Sequence, residues 1–218
     1  MHNNVRFELS FKNISQLDDK LNFCKLNNIK NINIPCKGLI KKEFFNSIIN
    51  NISKNFHEFN VTYHYSLYHQ YSKNKFKSYQ HFLDFVKSSH TKRNYEILLV
   101  SGSNKKKNFD SVDVLAYLKK EKNLKVKLGI AYNPYLKNYY NISSERERFE
   151  KKISTGLINS IWFQYGTDIK VLQNEVNYLK NVAKEEKLKF FGSLFIPSKQ
   201  FIARFKFRPW KEVYISEK

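Results

Sequence analysis

Apolar positions along this chain follow two alternating patterns. Short runs of β-branched and aromatic residues alternate with longer stretches in which apolar residues recur every three or four positions. The first pattern is typical of strands and the second of amphipathic helices, so their alternation predicts a parallel sheet with crossover helices. The predicted strands are Val5–Phe11, Asn31–Cys36, Phe59–Leu67, Tyr95–Ser101, Val126–Tyr132, Asn159–Tyr165, Phe190–Ile196 and Val213–Ser216.

Eight strands are the number that closes a (β/α)8 TIM barrel. The chain has 218 residues, whereas such barrels typically have about 250. We therefore predict an α/β fold of one domain, residues 1–218, as a compact barrel with trimmed loops or an incomplete barrel. The strand interiors, such as Glu96–Val100 and Ile161–Phe163, are mostly apolar, which favours a sheet buried on both faces.

The helical stretches carry recognisable start signals. Ser15 is a cap candidate for the first helix, Asp110 or Ser111 for the fourth, and Thr167 or Asp168 for the sixth. Ser143 and Ser144 precede the fifth helix, which we expect to end near Gly156.

A net charge of +20 raises the question of a nucleic-acid partner. Only six of the 39 basic residues are arginines, and the abundance of Lys, Asn, Ile, Phe and Tyr matches the codon bias of an AT-rich genome. A dedicated phosphate binder more often uses Arg, whose guanidinium makes two-point contacts. The composition therefore argues against a nucleic-acid function, although the positive field would attract small anions.

The cysteines and the apolar segments point to a reducing compartment. Cys24 and Cys36 are interpreted as reduced apolar residues, and no set of ligands has the spacing of a metal site. No stretch approaches the roughly 20 apolar residues of a membrane span, and the start of the chain has no signal core. We expect a cytoplasmic protein without a membrane partner.

Polar residues recur near the carboxyl ends of the predicted strands, where barrels of this kind place their chemistry. Each has a structural alternative: a solvent-facing Glu8, a hydrogen-bonded His64, a tight turn at Gly102, a loop contact by Gln164. Their convergence on one edge favours a site. The candidates are Glu8, His64, Ser101, Gly102, Ser103, Asn133 and Gln164.

These segments, in this order, resemble the methylenetetrahydrofolate reductase family over nearly the whole chain. The similar segments are Phe7-Glu8-Leu9, His64-Tyr65-Ser66, Ser101-Gly102-Ser103, Ala131-Tyr132-Asn133-Pro134, Lys152 before Gly156, Phe163-Gln164 followed by Asp168, and Gly192 to Pro197. The family has Arg-Gly-Asp where this chain has Ser101-Gly102-Ser103, so the resemblance lacks the acid at that position.

The resemblance implies a flavin-dependent reductase of one-carbon metabolism. FAD would pass a hydride from NADH or NADPH to 5,10-methylenetetrahydrofolate, with Glu8 as general acid and Gln164 on the pterin. Cofactor contacts would come from His64, Ser101, Gly102, Ser103, Asn133 and Lys152. The Lys105–Lys107 run is either a solvated loop or a site for a pyrophosphate or a polyglutamyl tail.

Three alternatives stay open. The barrel could bind folate or flavin without reductase activity, as an accessory subunit, which the missing acid favours. It could be an unrelated small-molecule enzyme or a basic nucleic-acid binder. The resemblance leaves open whether the chain forms a homo-oligomer or needs a partner subunit, and which nicotinamide it uses.

Overall fold

The structure is a computed structural model that describes residues 5–90, 95–101, 109–121, 126–136, 139–184, 187–209, 213 and 215. The chain divides into two compact units, Met1–Leu128 and Gly129–Lys218, and each is described by itself. Strands and helices alternate in both, which confirms the predicted α/β class. Of the predicted last strand, Val213–Ser216, the structure describes only Val213 and Ile215, so barrel closure and a single domain stay predictions.

Among its described residues, unit 1 has four strands and four helices in strict alternation. In chain order they are β1 (Phe7–Glu8), α1 (Ile14–Leu26), β2 (Asn31–Ile34), α2 (Lys42–Asn55), β3 (Asn60–Ser66), α3 (Lys75–His90), β4 (Tyr95–Val100) and α4 (Ser111–Leu118). The strands lie side by side in chain order, and each neighbouring pair is parallel.

Strands and helices also alternate in unit 2. Its elements are β5 (Leu128–Tyr132, starting at the boundary), α5 (Tyr139–Ile153), β6 (Ile158–Phe163), α6 (Ile169–Val182), β7 (Lys189–Phe191) and α7 (Lys199–Phe207). β6 pairs in parallel with β7, and the Gln164 N–H donates to the Tyr132 carbonyl at 2.8 Å to extend the contact between β5 and β6. None of the described helices is long and apolar enough to cross a membrane.

One face of the unit 1 sheet forms an aromatic and aliphatic core with the helices. Side chains alternate along β3, so Tyr63 and Tyr65 point to the same face. The Tyr65 ring lies 5.0 Å from the Phe82 ring of α3, and the Phe85 ring lies 4.9 Å from the Phe45 ring of α2. These edge-on contacts join two helices to the central strand of the unit.

The other face of this sheet is polar, in contrast to the predicted apolar character of both faces. Glu8, Asn33, Thr62 and Glu96 are register partners across the four strands, so their side chains share that face. Arg6 lies on the same side and binds across strands: its Nη2 donates to the Ile32 and Asn60 carbonyls, both at 2.8 Å. A polar sheet face provides the kind of surface on which a reaction site can be built.

The predicted caps are confirmed at the two helices that begin after an aspartate. Asp110 caps α4 in a capping box with Asp113, and Asp168 caps α6. Asn13, not Ser15, caps α1, and α5 begins at Tyr139, before the predicted serines. The Asn13 side-chain oxygen accepts from the Gln16 N–H at 2.9 Å. Both Asn and Ser are common helix caps, so the sequence alone could not decide whether α1 is capped by Asn13 or by Ser15.

Candidate active site

A cavity of about 400 Å³ lies at the carboxyl ends of β1 to β4 in unit 1. Each strand contributes its last residues or the loop that follows it, because the carboxyl ends of parallel strands meet at one edge. The lining residues are Glu8, Pro35, Cys36, Lys37, His64, Ser66, Tyr68, His69 and Val100. The cavity is within the size range of small-molecule sites.

Strand β3 contributes a histidine and a serine to the cavity. His64 and Ser66 are two residues apart, so the pleat places them on the same face. β3 ends at Ser66, whose Oγ accepts the His69 N–H at 3.3 Å and whose carbonyl accepts the Gln70 N–H at 2.9 Å. The strand therefore delivers a buried hydroxyl to the start of a tight turn, beside a histidine.

His64 is neutral at neutral pH. Desolvation by its densely packed surroundings lowers the pKa of His64 from 6.5 to about 4. The Glu8 charge opposes this lowering, while the Lys37 and Arg6 charges add to it. A neutral imidazole can accept a proton from a hydroxyl or a water molecule, which is the first requirement of a general base.

Glu8 lies at the mouth of this cavity and not in its interior. Its Oε1 pairs with the Lys37 ammonium at 3.0 Å, and its side chain is 43% exposed. Lys37 also donates to the Ser10 Oγ at 2.7 Å. Glu8 therefore faces solvent, as one of the two interpretations of the sequence proposed, and it also lines the cavity together with His64.

The predicted cofactor loop after β4 is described only at its first residue. Ser101 Oγ lies 2.9 Å from Ser111 Oγ and accepts the Ser111 N–H at 3.0 Å, so it anchors the first turn of α4. Gly102, Ser103 and the Lys105–Lys107 run lie outside the described residues.

The remaining predicted site residues belong to unit 2, where their described contacts are local. Asn133 Oδ1 accepts the Tyr135 N–H at 3.0 Å, and Gln164 Oε1 accepts the N–H of its neighbour Tyr165 at 3.0 Å. Lys152 is a buried residue of α5. The structure thus brings Glu8 and His64 to one cavity, and site roles for Asn133, Lys152 and Gln164 stay predictions.

Sequence reasoning missed Ser66 as a candidate for chemistry. The signal was present in His64-Tyr65-Ser66, because strand alternation places the first and third of these residues on one face. Lys37 and His69 were missed because both lie in loops whose course follows from tertiary packing.

The described residues contain no cluster of three His, Cys, Asp or Glu side chains suited to a metal ion. Cys24 is buried and Cys36 is half-buried in the cavity wall, and neither forms a disulfide.

Solved structures with a similar fold include the active domain 2 of chitinase from Pyrococcus furiosus. Catalytic-site mutants of that domain match with a TM-score of 0.57 at 12% identity, covering 96% of this chain and 83% of that one. The same domain complexed with chito-oligosaccharides gives a TM-score of 0.58 at 11% identity, covering 96% and 82%. At such low identity the likeness concerns the fold alone. No curated protein matches this chain in sequence.

A family model corrects the predicted family. The Esterase model, described as "Putative esterase", matches residues 45–160, more than half of the chain. The predicted membership of the methylenetetrahydrofolate reductase family is therefore wrong, and so is the predicted flavin-dependent reductase activity. The alternative of a folate- or flavin-binding subunit gains no better support.

The physical reason for the error is the brevity of each similar segment. Glu8 and His64 lie near strand ends, where any α/β repeat gathers polar residues, so the few identical residues in each segment carry little information. FAD and nicotinamide binding stay predictions without a test, and esterase chemistry gives them no role. The match over residues 45–160 spans β3, β4, β5 and the helices between them, and by this match the chain belongs to the Esterase family.

Proposed function

We propose that this protein hydrolyses small esters at the unit 1 cavity, with Ser66 as nucleophile and His64 as general base. The observation that carries the proposal is the placement of a buried serine and a neutral histidine on one face of β3, lining the same cavity. Both residues lie within the segment that matches the Esterase family.

The proposed reaction follows the acyl-enzyme route. Ser66 Oγ attacks the ester carbonyl while its proton passes to the His64 ring, and the resulting tetrahedral intermediate expels the alcohol, which takes up that proton. Water then attacks the acyl group with the same base, releasing the carboxylic acid and restoring Ser66. The His69 N–H donates to Ser66 Oγ at 3.3 Å, so the turn after β3 holds the hydroxyl in place at the cavity wall.

Ser66 is a better candidate than Ser101, which follows β4 at the same sheet edge. Ser101 Oγ is held by both Ser111 Oγ and the Ser111 N–H, and Ser101 does not line the cavity. Removing Ser101 would therefore disturb the start of α4, whereas removing Ser66 would remove the proposed nucleophile.

Ester hydrolysis is also favoured over the glycoside hydrolysis named for the structural neighbours. Glycosidases usually act through two carboxylates on either side of the scissile bond. Among the described residues that line the cavity, Glu8 is the single carboxylate, and it pairs with Lys37. Tyr68, Pro35 and Val100 provide apolar surface that suits a short acyl chain.

Hydrolysis of p-nitrophenyl acetate by the full chain tests the proposal. Ser66→Ala should lower kcat/KM by at least about 1,000-fold, since loss of a nucleophile removes the whole covalent route. Ser89→Ala is the matched control, because Ser89 is equally buried but donates to the Phe85 carbonyl within α3 at 2.8 Å. Mass mapping of a fluorophosphonate adduct should locate the label on Ser66.

Two results would contradict the proposal at different levels. Full activity in Ser66→Ala, or an adduct on another serine, would show that the nucleophile is misassigned while esterase activity stands. If the unmodified chain hydrolyses the ester no faster than the Ser66→Ala variant does, and no faster than buffer alone, the proposed activity at this site is refuted.

A further inference from the structure

We propose that the end of unit 2 docks onto the surface of anionic lipid bilayers through a patch formed by residues 187–208. This region contains β7, α7 and the loop that joins them. The proposal does not depend on the proposed esterase activity.

Large apolar side chains are unusually exposed in this patch. The exposed fractions are 91% for Leu194, 86% for Ile196 and 87% for Phe207, and Ile202 is 47% exposed. α7 contains no buried residue, although its nine residues include three phenylalanines and an isoleucine. Such a concentration of exposed apolar surface marks an interaction site.

The same patch carries charge of one sign. Residues 187–208 contain no aspartate or glutamate, and the basic residues of this segment are Lys187, Lys189, Lys199, Arg204, Lys206 and Arg208. All six are exposed. Cationic side chains interspersed with exposed Phe, Leu and Ile are the composition that binds the headgroup and acyl boundary of anionic membranes.

Charge also argues against the main alternative occupants. In a symmetric dimer through this patch, six cations would face six more, which costs free energy unless counterions intervene. Nucleic acid would satisfy the charge, and the exposed Phe207 ring could stack on a base, but the aliphatic Leu194, Ile196 and Ile202 offer no such ring and would stay exposed to water. An anionic bilayer accommodates both the charge and the aliphatic side chains.

Membrane docking of this kind needs no spanning segment. The patch lies in a short helix and a loop, and the apolar side chains would enter only the outermost part of one leaflet. The sequence has no long apolar run and therefore predicts no membrane-spanning helix. That observation does not bear on binding at the membrane surface.

Co-sedimentation of the full chain with vesicles tests the proposal. We expect binding to vesicles of 7:3 phosphatidylcholine and phosphatidylglycerol, weak binding to pure phosphatidylcholine, and loss of binding as salt rises. The triple variant Arg204→Gln/Lys206→Gln/Arg208→Gln should bind the anionic vesicles roughly 100-fold more weakly. Leu194→Ser/Ile196→Ser/Phe207→Ser should also bind at least roughly tenfold more weakly.

The matched control is Leu39→Ser/Phe76→Ser, because these unit 1 side chains are 75% and 71% exposed but lie outside the patch. It should bind like the unmodified chain. Equal weakening in this control, or no preference for anionic vesicles, would overturn the proposal. The proposal would also be overturned if the chain bound poly(U) more tightly than anionic vesicles and the apolar triple variant kept that binding. It would be overturned as well if the triple variants abolished a dimer of the chain but left vesicle binding unchanged.

Discussion

Arg146 and Glu175 form a two-point ion pair that joins α5 to α6. Arg146 Nε donates to Glu175 Oε2 at 3.1 Å, and Arg146 Nη2 donates to Oε1 at 2.5 Å. The Tyr132 hydroxyl of β5 donates to the same Oε2 at 2.5 Å, and the Arg146 guanidinium lies 4.2 Å above the Tyr178 ring. Glu175 is buried, so one carboxylate satisfies polar groups from two other elements of unit 2.

Replacing Glu175 by Leu should destabilise the protein by about 2–4 kcal/mol, because Arg146 and the Tyr132 hydroxyl would lose their shared acceptor. Urea denaturation measures this change. In the double variant Arg146→Met/Glu175→Leu the loss should be smaller than the sum of the two single losses, since no uncompensated charge remains.

Glu147→Gln is the control for this prediction, because Glu147 is fully exposed and pairs with Lys151 one helical turn away at 2.6 Å. Its urea midpoint should match that of the unmodified chain. Strictly additive losses at Arg146 and Glu175 would contradict the interpretation of the pair as a unit.

Gly129→Ala should destabilise unit 2 by about 1–3 kcal/mol, because the added methyl group would overpack the contact between β5 and β6. A Cβ at this position would lie 2.6 Å from Trp162 Nε1 and 2.7 Å from Ser160 Oγ. The same Nε1 donates to Ser160 Oγ at 2.7 Å, and the indole stacks on the Phe191 ring at 4.3 Å. The emission of Trp162, measured in a Trp210→Phe background, should therefore change along with the urea midpoint.

Gly192→Ala provides the comparison, since no atom lies within 4 Å of a Cβ built there. Its emission and midpoint should stay close to those of the unmodified chain. An unchanged Trp162 spectrum in Gly129→Ala would mean that the indole does not pack against the glycine backbone as described.

Local rules predicted the elements well because each depends on neighbouring residues. The 3.6-residue spacing of Leu17, Leu21 and Cys24 identifies the buried stripe of α1, and Asp110 and Asp168 cap the helices that follow them. Strand ends were less predictable. The run Phe190–Ile196 was predicted as one strand, but β7 ends at Phe191, and Leu194 and Ile196 are exposed despite their apolar character.

The candidate site was harder to predict because it depends on register between distant segments. Glu8, Asn33, Thr62 and Glu96 form one polar row, yet 25 to 34 residues separate consecutive members. Nothing in a local window aligns them. The order of short motifs along the chain led to the prediction of the methylenetetrahydrofolate reductase family. The match of the Esterase model over residues 45–160 shows that this prediction is wrong.

Folding stability should fall as the pH drops from about 6.5 to about 4, in part through His64. The folded-state pKa of His64 is about 4, below its ordinary value of 6.5, so in this range the unfolded chain binds a proton that the folded chain excludes. The contribution is fully present above pH 6.5, and its loss amounts to at most about 3 kcal/mol by pH 4. Urea midpoints of the unmodified chain and His64→Gln across this range measure it.

His64→Gln should flatten this part of the pH dependence. Parallel curves for His64→Gln and the unmodified chain would show that His64 is not held neutral by the fold.

The pH dependence of ester hydrolysis should report the charges around His64. If His64 is the base, kcat/KM should fall on the acid side with an apparent pKa about 4 and not near 6.5. Lys37→Gln should move this acid limb to higher pH, because the Lys37 charge lowers the pKa of His64, and Glu8→Gln should move it to lower pH, because the Glu8 charge raises that pKa. Profiles of initial rate against pH for the three proteins measure both shifts.

Shifts in the same direction in both variants would indicate a general disturbance of the cavity mouth, where Glu8 and Lys37 lie 3.0 Å apart, and would contradict His64 as the titrating base.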